Sequence, residues 1–449
     1  MKILLVHPET SRTRYDFLGI IENECIDLEC ISAILQSANH FVTIYDFQVE
    51  NESYKTIFSK DTYDAVYFTG RTMQENFMLE YCAYTKHVRP SCITMIGGLH
   101  AQLNYKRLEK DAVDYIFTGY NHFHILEVLE GKNIEEMDSI CYKDASGNWI
   151  ENPKKAFDIK KLPLPDRTYF YEHPNHYQYL ELKHAAWVRA SFSCPYSCSF
   201  CHRNKMNAGT YSTRDIKDVV DEIAQIQTEN IYLCDDDFLL DKNRVQTFVQ
   251  EIKKRNIKKK YICYGRSDFI AKEIDLMEDL RDIGLYYVLV GLEDIRDDKL
   301  QKYHKLNTQN NNQRALEICN ALGIHMMGMF VLGLDFEKQD FDMIYDWCKK
   351  HRLRHVAVSI FTPEMGLSSF KEYEDQLITD NPSHWDYLYL VVKPTKLSVR
   401  KYYFYYYKLL IKLFLKAKRE GVYDFLDYNY FIQTFIKSLI TGKRYKEDD

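Results

Sequence analysis

No stretch of this sequence approaches the roughly 18 to 20 consecutive apolar residues that a membrane-spanning helix needs. The N-terminus, "MKILLVHPET", carries one Lys and an apolar run that stops at His7, too short for the core of a secretory signal. A cytoplasmic chain is therefore expected. Glycine and proline are scarce, at 17 and 10 of 449 residues, which excludes collagen-like and low-complexity architectures. Hydrophobic residues at 46% and charged residues at 28% lie near globular averages and exclude wholesale disorder. A net positive balance is lacking over most of the chain. The formal net charge is −6, yet residues 396–449 hold 12 Lys or Arg against 6 Asp or Glu, so everything before them stands at −12. That balance argues against a nucleic-acid partner and leaves only the tail suited to an anionic surface.

Cysteine is not lacking, but most of the twelve are dispersed along a long chain with no export segment, so disulfides are not expected. Cys25, Cys30, Cys82, Cys92, Cys141, Cys319 and Cys348 read as small apolar residues of a reducing compartment. A triplet differs. "ASFSCPYSCSFCHRN", residues 190–204, sets Cys194, Cys198 and Cys201 at the spacing C-x3-C-x2-C, and no fourth cysteine stands close by. Structural zinc takes four ligands, usually as two paired knuckles, and the second knuckle is missing here. His202 adjoins Cys201 and is badly placed to close the same tetrahedron. Iron–sulfur clusters take thiolates from tight loops, normally four of them. A four-iron cube held by three thiolates keeps one iron open for a substrate or cofactor.

Length alone suggests two or three domains. Over residues 1–135 short apolar runs ("KILLV", "HFVTIYDF", "YDAVYFTG", "CITMIGG", "DYIFTG") alternate with amphipathic stretches ("CIDLECISAILQSA", "NFMLEYCAYTKHV"). That alternation predicts a Rossmann-like, doubly wound α/β domain, whose ligands sit beyond the carboxyl ends of the strands. Gly97 and Gly98 end one such run, where a backbone without Cβ atoms can approach a ligand or simply turn. Residues 136–182 read as a linker, with a hairpin-like "KDASGNWIENPKK" and a proline-stiffened "KLPLPDRTYF". Over 183–375 about six strand-helix units follow in series, which predicts a partial parallel barrel with its site at the C-terminal strand ends. Residues 376–449 are expected to be helical. There "KYYFYYYKLLIKLFLKAKRE" carries Lys401, Lys408, Lys412 and Lys416, the last three at four-residue intervals, as a barrel cap with its lysines in water or a helix lying on a lipid surface.

The cysteine loop, with Phe200 before its last thiol and a strand leading into it, resembles the signature of radical S-adenosylmethionine (SAM) enzymes. The likeness runs on through "IYLCDDDFLLD", "GRSD" at 265–268, "VGLEDI" at 290–295 and "GMFVLGLD" at 328–335. Upstream, "KILLVHPE", "TMIGGLHA" and "VDYIFTG" are similar to the B12-binding domain that precedes the barrel in the cobalamin-dependent methyltransferase-like branch. The resemblance implies that Cys194, Cys198 and Cys201 hold a [4Fe-4S] cluster and that SAM binds its open iron. It implies that Phe200 packs near the adenine, that Asp235 or Asp236 accepts the methionine ammonium, that Arg266 pairs with a carboxylate, and that Glu293 faces the ribose. Gly97 and Gly98 become the corrinoid contact. Two departures stand out: the D-x-H-x-x-G motif that gives cobalt a histidine is absent, neither His7 nor His100 having its context, and "TGYN" at 118–121 replaces a glycine-glutamate-glycine.

As activity, the resemblance implies reductive cleavage of SAM to a 5'-deoxyadenosyl radical and C-methylation of an unactivated carbon in a small-molecule, natural-product, peptide or lipid substrate, with flavodoxin or ferredoxin as reductant. Two alternatives stay open. One is radical cyclisation, carbon–carbon coupling or rearrangement without cobalamin; the other is a non-catalytic iron–sulfur protein.

Overall fold

The computed structural model describes residues 1–10, 21–50 and 52–426. Its first sheet has seven strands: β1 (Lys2–His7), β2 (Phe41–Asp46), β3 (Ala65–Thr69), β4 (Ile93–Gly97), β5 (Tyr115–Phe117), β6 (Ile140–Lys143) and β7 (Trp149–Glu151). They lie in the order β2-β1-β3-β4-β5-β6-β7, the first five parallel and the last two an antiparallel hairpin. Every residue of β3, "AVYFT", is buried, as a central strand covered on both faces requires. Helix Ile26–Ser37 covers one face through Leu28, Ile31 and Leu35, and helix Glu75–Val88 covers the other through Met78, Tyr81 and Cys82. The strand order reverses beside β1, which opens a crevice at the carboxyl ends of β1 and β3.

The hairpin-like stretch forms β6 and β7 and extends this first sheet. After it, the chain reaches β8 (Ala185–Val188) and a two-stranded antiparallel ribbon of β9 (Ser191–Phe192) and β10 (Ser212–Thr213), which brackets the cysteine loop. Next come β11 (Asn230–Leu233), β12 (Lys260–Gly265), β13 (Leu285–Glu293), β14 (His325–Leu332) and β15 (His355–Ile360). With β8 they make a six-stranded sheet in chain order, all neighbours parallel, and β15 does not pair with β8. This is the expected partial barrel. Its outer face packs on helices such as Ile216–Gln225 and Lys338–Lys350 in one large core. Its inner face carries Tyr232, Ile262, Tyr287, Leu289 and Met327, and the preceding segment closes the bottom with Tyr179, Leu180 and Leu182.

The C-terminal region differs from the expectation of a helical 376–449. Residues 376–398 are mostly irregular, and one long helix follows, Val399–Arg419, capped by the Ser398 hydroxyl, which accepts from the Lys401 N–H. Tyr402, Tyr406, Leu409 and Leu413 bury its inner side, and the Tyr402 hydroxyl donates to the Leu332 carbonyl at 3.2 Å. The lysines do not form one solvated stripe. Lys408 is exposed, Lys412 is half-buried against Asp342 at 3.0 Å, and Lys416 is buried with its ammonium on the Leu353 carbonyl at 2.6 Å. Four residues on a helix of 3.6 per turn overshoot a full circle by about 40°, so the row winds from water into the interface. The remainder of the tail lies outside the described residues.

Candidate active site

A cavity of about 460 Å³ joins the two sheets at their carboxyl ends. From the first sheet it receives His7 at the end of β1, Thr69 and Gly70 at the end of β3, and Leu99 just past β4. From the barrel come Trp187, Tyr232, Tyr264, Leu289, Met327 and Met329. Gly97 and Gly98 are not on its wall. A Cβ at Gly97 would run into the Tyr67 ring, and Gly98 has φ +85° with its missing Cβ against Thr69 Oγ1. The pair is needed to fold β4 onto β3, and it is Leu99 and Gly70 that reach the space the pair was expected to face. His7 does face it, and its ring lies between Asp46 and Gln48. His100 is fully buried, bonded to Glu75 at 2.7 Å and to Thr72 at 3.1 Å.

The two sheets are locked together around the cavity. Tyr120, from "TGYN", stacks on Phe192 of β9 with centroids 3.8 Å apart. Arg189 pairs with Asp27; burial works against ionisation there, but Arg189 and His122 hold the Asp27 carboxyl well below its ordinary range. Behind them a buried chain runs from Glu24 through Arg167 (3.2 Å) to Glu222 (2.8 Å) and Arg214.

The cysteine loop lies above the barrel, with Cys194, Cys198 and Cys201 half-buried and the Cys201 N–H donating to the Cys198 carbonyl at 3.1 Å. Among the described residues no group of three or more His, Cys, Asp or Glu converges on a single-ion position, so the loop is not a preformed mononuclear site. Its donor set, thiols alone, suits an iron–sulfur cluster, in which each thiolate takes its own iron. The loop is braced from the segment after β13. Ser199 N–H donates to the Tyr303 carbonyl at 3.1 Å, and Phe200 meets the Tyr303 ring edge-on at 5.4 Å. Arg266 lies over the Tyr196 ring at 3.9 Å, grips Asp268 at 3.0 and 3.2 Å, and donates to the Lys305 carbonyl at 2.9 Å. Its fork is thus occupied by the protein.

The three acids after β11 divide their work. Asp235 accepts from the N–H groups of Ala190 and Ser191 at 2.6 and 3.0 Å, and burial pushes its carboxyl up to about 6 despite those bonds. Asp236 faces the cavity and pairs with Arg203 at 3.2 Å. Asp237 is buried, neither carboxylate oxygen makes a hydrogen bond of good geometry, and burial pushes it up to about 7 against the opposing pull of Arg266 and the Leu239 N–H. A buried acceptor left without a donor calls for a partner such as water, an ion or a ligand. Glu293 sits at φ +61°, a strained conformation for a non-glycine residue, and accepts from the buried Lys305 ammonium at 2.7 Å. Burial opposes the charge on Lys305, but Glu293 outweighs it and raises the ammonium above its ordinary range. Asp237 and Lys305 escaped the candidate set read from the sequence: the first is one of three equivalent-looking acids, and the second has no local pattern.

A profile of the radical SAM superfamily matches residues 188–348, and one of the B12 binding domain matches residues 24–124. The hopanoid C-3 methylase of Methylococcus capsulatus is 24% identical over 416 residues, covering 90% of this chain and 78% of the methylase. The anaerobic magnesium-protoporphyrin IX monomethyl ester cyclase of Cereibacter sphaeroides is 23% identical, covering 89% of this chain and 68% of the cyclase. Among solved structures, the cobalamin-dependent S-adenosylmethionine radical enzyme OxsB with aqua-cobalamin and S-adenosylmethionine bound superposes with a TM-score of 0.67 at 17% identity. The match covers 88% of this chain and 64% of that one, so the chain spans slightly less than two thirds of its length. With a B12-binding domain leading into a radical SAM barrel, this chain belongs to the B12-binding-domain-containing branch of the radical SAM superfamily.

Proposed function

We propose that the chain methylates an unactivated carbon of a small molecule, working in the cytoplasm with a [4Fe-4S] cluster, SAM and cobalamin. When bound, these groups supply the hydrogen-abstracting radical and the methyl donor. The observation that carries this reading is a cavity that opens onto both sets of strand ends and is lined by Ser193 and Arg203, which stand at the two ends of the cysteine loop. The chain contributes position and exclusion of water. Cys194, Cys198 and Cys201 hold the cluster. Asp237, with its unbonded carboxylate, takes the methionine ammonium more readily than Asp235, whose near oxygen already serves two N–H groups. The Glu293–Lys305 pair faces the polar end of SAM, and Phe200, fixed by Tyr303, flanks the adenine. Pro195, Ser197 and Ser199 leave the loop exposed on one side, where a flavodoxin or ferredoxin delivers the electron.

The test is anaerobic purification from corrinoid-supplied cells, followed by iron, sulfide and cobalt assays and detection of 5'-deoxyadenosine from SAM plus reductant. Cluster and cobalt are expected together. Cys198→Ala should abolish SAM cleavage; retained cleavage would show that the ligands are misassigned. A second reading, radical cyclisation without cobalamin, draws on the cyclase relative. Cluster and 5'-deoxyadenosine without cobalt would favour it.

The long C-terminal helix points Phe404, Ile411 and Leu415 outward, 64%, 59% and 45% exposed, beside exposed Lys401 and Lys408. This face suits peripheral contact with an anionic lipid surface. Phe404→Ser with Ile411→Ser should then reduce co-sedimentation with phosphatidylserine vesicles severalfold, and unchanged co-sedimentation removes the idea.

A further inference from the structure

We infer that the barrel lumen is built for a neutral, apolar, ring-bearing substrate, a conclusion that rests on the radical reading above for what happens to that substrate. Three observations carry it. The cavity wall inside the barrel is Trp187, Tyr232, Tyr264, Leu289, Met327 and Met329, none of them charged. Its aromatic members meet edge-on or tilted, Trp187 on Tyr232 at 5.0 Å and Tyr232 on Tyr264 at 6.2 Å, and so offer broad ring surface to a flat molecule. The two methionines add flexible, polarisable walls that adapt to an irregular outline.

The floor is closed. Tyr179, Leu180 and Leu182 fill the bottom of the barrel, and Tyr287, packed against Tyr179, donates its hydroxyl to Glu181 at 3.0 Å. Rim charges are balanced in number: Glu24, Asp27 and Asp236 face the cavity against Arg71, Arg189 and Arg203, and of the arginines Arg189 and Arg203, the two on the barrel side, are already bound to Asp27 and Asp236. An isolated charge carried into the lumen would find no partner and would bear the full cost of lost solvation. Ala357 of β15 is exposed to this space and carries the smallest side chain on the barrel's part of the wall, so a larger residue there would take room from the chamber.

The test is equilibrium dialysis of the anaerobic holoenzyme against two neutral polycyclic probes, progesterone and 1-pyrenemethanol, with adenosine 5'-monophosphate as the charged comparator. Saturable binding of at least one neutral probe, and none of the nucleotide, is expected. Ala357→Asp, which adds charge, and Ala357→Trp, which fills space, should each weaken that binding at least tenfold, with iron per chain unchanged as the check on folding. Failure of both neutral probes to bind, or binding that both variants leave intact, overturns the inference. So does nucleotide binding that both variants abolish. Production of 5'-deoxyadenosine by the wild type is read separately: present without probe binding, it leaves the radical reading standing and sinks this one; absent with probe binding, it does the reverse.

Discussion

Asp237 concentrates the conflict between stability and use that marks a working residue. Its carboxyl is pushed up to about 7 by burial, against roughly 4 in an unfolded chain. Between those values the folded protein keeps a proton that the unfolded one has released, so stability falls as pH rises through that window. Above about 7 the whole cost of the buried charge stands; below about 4 none of it does. Asp237→Asn should therefore raise the stability of the cofactor-free protein at pH 8 by roughly 2–4 kcal/mol and leave it unchanged at pH 4, read from denaturant midpoints. The same change should lower SAM cleavage by two orders of magnitude or more, because the carboxylate charge is what an ammonium needs. Equal shifts at both pH values, or undiminished cleavage, would place the ligand elsewhere. Asp235, in contrast, is tied to two backbone N–H groups, and its loss should cost stability at neutral pH.

At the scale of elements, the cysteine loop depends on a segment about a hundred residues away. Arg266, at the end of β12, stacks on Tyr196 and bonds the Lys305 and Leu306 carbonyls, so one side chain joins the loop to its brace. Arg266→Ala should leave the barrel folded, since its outer core is untouched, yet halve or worse the iron retained after anaerobic reconstitution and speed proteolysis between residues 194 and 201. Arg266→Lys should recover little, because an ammonium cannot reproduce the planar fork that bonds and stacks at once. Iron content equal to wild type in Arg266→Ala would assign the residue to SAM rather than to the loop.

For the whole molecule, the junction between the sheets is where cavity shape is decided. Arg167 stands at its centre, joining Glu24 of the first domain to Glu222 of the barrel's first helix. Replacing it with Met leaves Glu24 buried without a cation and Glu222 with Arg214 alone, and breaking a buried pair in this way typically costs about 3–5 kcal/mol. Calorimetry of Arg167→Met should resolve a separate, lower transition for one sheet domain, and cobalt retention should fall with it. Because the network is buried, 1 M salt should not reproduce the effect. A single unshifted transition would mean that the apolar contacts, such as Tyr120 on Phe192, hold the junction alone.

Much of this was legible in one dimension because local chemistry wrote it. Parallel strands buried on both faces must be apolar runs, helices on their flanks must show helical spacing, and three thiols within eight residues stand apart from the nine dispersed cysteines, so fold class and candidate loop were legible in spacing, while the cluster assigned to that loop was implied by the resemblance. The acids after β11 are different: only the folded chain assigned Asp235 to the backbone, Asp236 to Arg203 and left Asp237 free, because neighbours in sequence point in different directions at a strand end. Lys305 beside Glu293, the turning lysine row of the last helix and the displacement of Gly97 and Gly98 from the cavity wall are likewise set by long-range packing. The sequence by itself determined the architecture and the kind of chemistry. Which side chains face the reacting space, and that the lumen is apolar and closed below, was decided by the tertiary structure, since burial and charge balance are properties of surroundings that no single segment carries.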